Sequence, residues 1–153
     1  MQIRDAQIDD ADAACLTIRR SIAELCRDDH RDDAQTLAAW LANKTADTMG
    51  RWIGQSHVVV ATEEAAIIGV GAITESGEIT LNYVSPNARF RGVSKAILAG
   101  LEAHAAAKGI ETITLYSTAT AHRFYRSAGF VDDGPPVKGF GVTFGFPMTK
   151  RLG

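Results

Sequence analysis

Cysteine, proline and aromatic residues are all scarce in this chain of 153 residues, and neither sign of charge prevails. The two cysteines, Cys15 and Cys26, exclude a disulfide framework: on a continuous helix they share a face but stand about two and a half turns apart, too far to bridge. They read as reduced core residues. Four prolines and the absence of any low-complexity tract or internal repeat leave no linker, so residues 1–153 are expected to form a single domain. A chain of this length buries roughly two-thirds of its unfolded surface in one core. With 16 Lys plus Arg against 18 Asp plus Glu, the net charge of −2 generates no field that would draw the protein onto nucleic acid or an anionic membrane. Any preference for phosphate must therefore be local. No apolar run reaches membrane-spanning length and no signal-peptide pattern opens the chain, which makes a soluble, cytoplasmic protein the expectation.

What is present is a legible alternation of elements. Gln2 to Ala6 reads as a short strand, after which Asp9 or Asp10 caps a helix with Ala11, Cys15, Ile18, Ile22 and Leu25 at spacings of four and three. The polar run from Arg27 to Asp33 precedes a second helix with Leu37, Trp40 and Leu41 one turn apart. Three β-branched segments, His57 to Thr62, Ile67 to Thr74 and Ile79 to Val84, are separated by short turn sequences and predict an antiparallel meander. The next helix, Val93 to Lys108, buries Val93, Ala96, Ile97, Leu101 and Ala105, ends at Gly109, and is expected to approach the sheet closely through Gly100. A strand at Thr112 to Tyr116, a short helix from about Ala119 to Ala128 and a strand beginning at Phe130 follow. Phe140, Val142, Phe144, Phe146 and Met148 alternate along a closing strand.

The junction Arg89-Phe90-Arg91-Gly92-Val93-Ser94 stands where an extended segment gives way to a helix. A helix start leaves several N–H groups without intrahelical partners, and the aligned peptide dipoles add about half a positive charge there, so phosphate is the natural guest. Gly92 removes the Cβ where a diphosphate would approach the backbone, Ser94 is nearly as small, and Arg89, Arg91 and Lys95 add mobile positive charge.

Together with Ala121-His122-Arg123-Phe124-Tyr125-Arg126-Ser127-Ala128-Gly129-Phe130, this junction resembles the GCN5-related N-acetyltransferases, the GNAT superfamily. Arg89, Gly92 and Ser94 satisfy the family's Gln/Arg-x-x-Gly-x-Gly/Ala pattern, with serine in the last small position. Ala121, Tyr125, Gly129 and Phe130 satisfy a second pattern. The asparagine often found seven residues before the tyrosine is Thr118 here, which touches one amide contact to the cofactor. The resemblance extends along essentially the whole chain. It implies a mixed α/β fold of the α+β type: a central, mostly antiparallel sheet of six or seven strands, about four helices, and two central parallel strands, Ile79 to Val84 and Thr112 to Tyr116, that splay into a slot for acyl-coenzyme A.

For function, the resemblance implies transfer of an acetyl group from acetyl-coenzyme A to a primary amine by direct attack in a ternary complex, without a metal. Pantetheine would pair with the backbone of Asn82, Tyr83 and Val84. Diphosphate would rest on Arg89, Phe90, Arg91, Gly92, Val93, Ser94 and Lys95, and Thr118 and Tyr125 would complete the cofactor wall. The Asn82 N–H is the candidate oxyanion donor, Tyr125 the general acid for the leaving thiolate, and Glu78 the base for the incoming amine. Each has a plainer alternative: Tyr125 as a ring packed in the core, Glu78 as a solvated hairpin end, and the three cations as a surface cluster.

The acceptor, a small-molecule or peptide amine, is the open element. Asp28, Asp29, His30, Asp32 and Asp33 form either an acidic wall for a cationic amine or a solvated helix boundary. His30 has no Cys or His neighbour at metal-ligand spacing, and no histidine forms a triad with Cys15 or Cys26. Exposed strand edges and the aromatic closing strand are compatible with a homodimer. Two other classes stay in view: a non-catalytic acyl-coenzyme A sensor or interaction module, and a nucleotide-binding module. The latter lacks both Gly-x-Gly-x-x-Gly and Gly-x-x-x-x-Gly-Lys-Ser/Thr.

Overall fold

The structure, a computed structural model, describes residues 1–153. Its elements run β1 (Gln2–Asp5), α1 (Ala11–Leu25), α2 (Arg27–His30), α3 (Ala34–Leu41), α4 (Ala46–Gln55), β2 (His57–Glu63), β3 (Ala66–Ile73), β4 (Glu78–Val84), α5 (Val93–Ala107), β5 (Thr112–Ser117), α6 (His122–Ser127), β6 (Val131–Asp132), β7 (Val137–Lys138) and β8 (Phe144–Arg151). The strands form one mixed sheet in the order β1-β2-β3-β4-β5-β8-β6, with β7 paired to β8. Every pairing is antiparallel except β4 with β5. No helix is long and apolar enough to cross a membrane.

The sheet separates two cores because β2 and β3 are apolar on both faces. Val58, Val60, Val70 and Leu81 pack against α1, α3 and α4 through Ile18, Ile22, Trp40 and Met49. On the other face, Val59, Ile113, Leu115 and Met148 meet Ile97 and Leu101 of α5 together with Tyr125 and Phe130. Burial of both faces accounts for the near-continuous apolar runs in these strands.

The expected architecture holds, with local differences. Eight strands replace six or seven because the two-residue β6 and β7 join the sheet, and six helices replace about four. α4 went unread: Thr45 caps it by accepting from Thr48 N at 3.2 Å, and Met49, Trp52 and Ile53 lie on its apolar face, but Gly50 and Gly54 weaken its helical signal. The closing strand starts at Phe144 instead of Phe140. Phe140 and Val142 lie in a turn held by Thr143 N donating to Phe140 O at 2.8 Å and by Val142 N donating to Thr36 Oγ1 at 3.1 Å. The close approach of α5 to the sheet comes from β3, not from Gly100. A Cβ on Gly71 would stand 2.2 Å from Ile97 Cγ2, whereas one on Gly100 would meet only Ile3 at 3.6 Å.

Two outcomes follow from this packing. Gly71→Ala forces Ile97 away and is expected to lower unfolding free energy by about 1–3 kcal/mol, while Gly100→Ala leaves it unchanged or raises it by up to about 1 kcal/mol; urea denaturation distinguishes the two. At the far end of α5, the rings of His57 and His104 stack with centroids 3.6 Å apart. Burial, then the neighbouring His104 ring and Lys108, holds His57 below the ordinary histidine range against the upward pull of Asp5. The unfolded chain thus binds a proton more readily, so this contribution is present at neutral pH and is lost as pH falls below about 6.5. His57→Gln should flatten the dependence of Tm on pH between 7.5 and 5; a slope equal to wild type would show that the stack does not titrate.

Candidate functional site

β4 and β5 pair over only two rungs, Glu78 with Thr114 and Ile79 with Leu115. Beyond them β4 continues to Val84 along β3, and β5 continues to Ser117 along β8, so the strands part and leave backbone groups on the inner edges without ladder partners. A bulge at Thr80, where the register with β3 shifts between Ala72 and Ile73, turns β4 away from β5. The resulting slot encloses about 340 Å³.

One end of the slot is the turn from β4 into α5. Gly92, the N-cap of α5, has φ +80°, a conformation that a side-chain-bearing residue adopts with difficulty, and no side chain caps the helix start. A Cβ there would meet nothing within 4 Å, so the space in front of the turn is open to a ligand. Arg89 and Lys95 flank it, and the Arg89 guanidinium lies 4.5 Å from the ring of Phe90. Phe90 is 90% exposed.

At the other end stands Tyr125, 6% exposed, its ring edge-on to Phe130 at 5.4 Å and to Phe124 at 5.1 Å. Core packing and slot lining are thus not alternatives for this residue, because it does both. Burial pushes its phenol up to about 12, an effect eased by the Asn82 side chain. Asn82 donates through Nδ2 to Ser94 O at 3.4 Å, while its Oδ1 is buried with no hydrogen-bond partner. A buried acceptor left unpaired costs about 1–3 kcal/mol, which a ligand N–H entering the slot would recover.

The remaining sequence-derived candidates divide clearly. Tyr83, Val84, Val93, Ser94 and Thr118 line the same slot. Thr118 Oγ1 accepts from Ala121 N at 3.0 Å and so shapes the turn into α6. Two candidates lie outside the lining. Arg91 is ion-paired with Glu63, and Glu78 sits on the rung where β4 and β5 still pair, its N–H donating to Thr74 Oγ1 at 3.1 Å. The acidic run does not form a continuous wall. Asp33 accepts from Thr36 N at 3.0 Å as the cap of α3, and Asp28 and Asp32 face solvent. His30 is fully buried, with Nδ1 accepting from Asp32 N at 2.9 Å and Nε2–H donating to Ile22 O at 3.0 Å. Those bonds hold the ring in a structural role.

Asp29, named above only as part of an acidic run, has a role that the sequence did not reveal. Only 5% exposed, it reaches from α2 across the slot mouth to accept from Ala119 N at 2.6 Å, Thr120 N at 3.2 Å and Thr120 Oγ1 at 2.5 Å. It ties the wall made by Ser21, Leu25 and Cys26 to the loop that leads into α6. The bond spans some ninety residues of sequence, and nothing local distinguishes Asp29 from its acidic neighbours.

A family model for the acetyltransferase (GNAT) domain matches residues 26–152, and the chain belongs to that family. An amino-acid acetyltransferase of Azotobacter vinelandii is 30% identical over 99 residues, 61% of this chain and 22% of the relative. One from Ectopseudomonas mendocina is 32% identical over 95 residues, 59% and 21% respectively. The matched stretch thus spans about a fifth of these curated relatives. Among solved structures, a GCN5-related N-acetyltransferase from Rhodopseudomonas palustris superposes with a TM-score of 0.89 at 22% identity, over 98% of this chain and 94% of that one. The PaiA N-acetyltransferase of Thermoplasma acidophilum, in complex with coenzyme A, gives 0.80 at 18% identity, over 98% of both chains.

Removing the Asp29 carboxylate leaves two backbone donors without their buried acceptor. Asp29→Ala is expected to cost about 3 kcal/mol in urea unfolding and Thr120→Val only about 1 kcal/mol, since the latter spares the backbone bonds. Equal and small losses would show that solvent replaces the carboxylate at no cost.

Proposed function

We propose that this chain transfers an acetyl group from acetyl-coenzyme A to a primary amine, small-molecule or peptide, by direct attack within a ternary complex. The observation that carries this reading is the continuity of one slot from an uncapped helix start at Gly92, past the unpartnered Asn82 Oδ1, to the buried phenol of Tyr125. The residues present fit such a donor. An anionic diphosphate suits the free N–H groups of Val93, Ser94 and Lys95 and the side chains of Arg89 and Lys95. An amide-rich arm suits the inner edge of β4 at Asn82, Tyr83 and Val84. The carbonyl-bearing thioester supplies the electrophile; the protein supplies position, donors and a proton.

Those contributions divide among three residues. The N–H of Asn82, on the strand edge that has left its partner, stabilises negative charge on the carbonyl oxygen in this reading, worth a few kcal/mol in a water-poor slot. The Asn82 side chain orients the donor through its free Oδ1. Tyr125 protonates the departing sulfur. Its raised pKa keeps the phenol protonated at neutral pH, and the same apolar surroundings raise the basicity of a thiolate expelled beside it, so donor and acceptor stay matched. The relatives' name, amino-acid acetyltransferase, and the coenzyme A bound in the Thermoplasma neighbour support the donor and the reaction class.

Tyr125→Phe removes the proton but keeps the ring packing. Turnover is expected to fall about 100-fold, within the range for general acids, while the Kd of coenzyme A measured by calorimetry stays within about twofold. An undiminished kcat would assign the proton to water.

A further inference from the structure

Phe90 stands at the rim of the slot, in the turn ahead of α5, and the folded chain gives it no packing role. Its neighbours in the turn are anchored. Ala88 and Val93 are buried in the core beneath α5, and Arg91 is ion-paired with Glu63 at the end of β2. Phe90 itself is 90% exposed and belongs to neither core cluster. Its backbone has φ +64°, a left-handed conformation that is rare and strained for a bulky residue. The Arg89 guanidinium lies over the ring, 4.5 Å from its centroid, and the exposure of Phe90 leaves the opposite face to solvent. An aromatic ring held outward in this way buries no apolar surface, and glycine would adopt the same backbone without strain. Folding therefore does not explain a phenylalanine here.

Its position suggests what does. With the thioester of a bound donor at Tyr125 and the diphosphate at the helix start, the adenosine attached beyond the diphosphate must leave the slot past the turn. Phe90 precedes Gly92 by two residues, so their Cα atoms are at most about 7 Å apart. A planar apolar face beside a phosphate site suits a planar heterocycle joined to that phosphate, because a base stacks on an aromatic ring whatever its hydrogen-bonding edge. The geometry points to Phe90 as a stacking platform for the adenine of the donor, with Arg89 bracing the ring from its other face. This rests on the acyltransfer reading above. It adds a base-recognition element at the rim to the diphosphate and pantetheine contacts within the slot, and it makes the turn favour a nucleotide-bearing thioester over one carried on phosphopantetheine alone.

The test measures the Kd of coenzyme A and of 4′-phosphopantetheine by calorimetry for wild type, Phe90→Leu and Phe90→Tyr. Phe90→Leu keeps an apolar side chain of similar reach but no ring, and should raise the Kd of coenzyme A about tenfold. The same variant should leave the Kd of 4′-phosphopantetheine within about twofold of wild type, and Phe90→Tyr, which keeps a ring, should bind coenzyme A within about twofold of wild type. In the wild-type complex, nuclear Overhauser effects should connect the adenine ring protons to the ring protons of Phe90, a signature that a merely structural residue would not produce. Equal losses for the two ligands in Phe90→Leu, no loss for either, or coenzyme A bound without those Overhauser effects would overturn the inference while leaving acyltransfer intact. Absence of coenzyme A binding by the wild-type protein would sink the acyltransfer reading and this inference with it.

Discussion

Everything in this molecule turns on how briefly β4 and β5 hold together. Two rungs of parallel pairing at Glu78 and Ile79 join what are otherwise two antiparallel sheets, and past Ile79 each strand stays with its outer neighbour. Hydrogen-bonding capacity exposed along two diverging edges is a cost in free energy unless something occupies it. The fold tolerates that cost because each half is secured on its own: β2 and β3 by buried side chains on both faces, β5 and β8 by six register pairs and the cluster around Phe130 and Met148. The halves are also joined outside the sheet, where α5 spans them on one face and Asp29 crosses the gap on the other.

The slot that results changes character along its length. One end is an uncapped helix start flanked by Arg89 and Lys95; its middle holds one orphaned amide oxygen; its far end is a phenol set among aromatic rings. Burial connects these features. It keeps the Tyr125 proton in place and leaves Asn82 Oδ1 without a hydrogen-bond partner in the protein. Gly71 contributes from a distance, since the contact of Ile97 with β3 seats α5, and with it the helix start that faces the slot.

Much of this was legible in the residues because the signals were local. Arg89, Gly92 and Ser94 fall on the turn into α5, Tyr125 lies on α6, and the β-branched runs became β2, β3 and β4. The unread parts have physical reasons. In α4, the glycines at positions 50 and 54 dilute a pattern that tertiary packing of Met49 and Trp52 rescues. The alternation from Phe140 to Met148 extends past the true start of β8, because a hydrogen bond from Val142 to Thr36 holds the first residues in a turn. Asp29, Asp33 and His30 share one acidic stretch yet do three different things, and the choice among them is made by partners as distant as Thr120. Period and composition carry no information about such partners.

The cross-tie from Asp29 has a consequence for local motion. Residues 118–121 form a connecting loop, a place where backbone amides normally exchange with solvent quickly. Here the Ala119 and Thr120 amides donate to a carboxylate that is itself nearly inaccessible, so their exchange is expected to require the parting of this loop from α2. These two protons therefore form a natural gauge of how often the slot breathes, in a segment whose connectivity alone would mark it as loose.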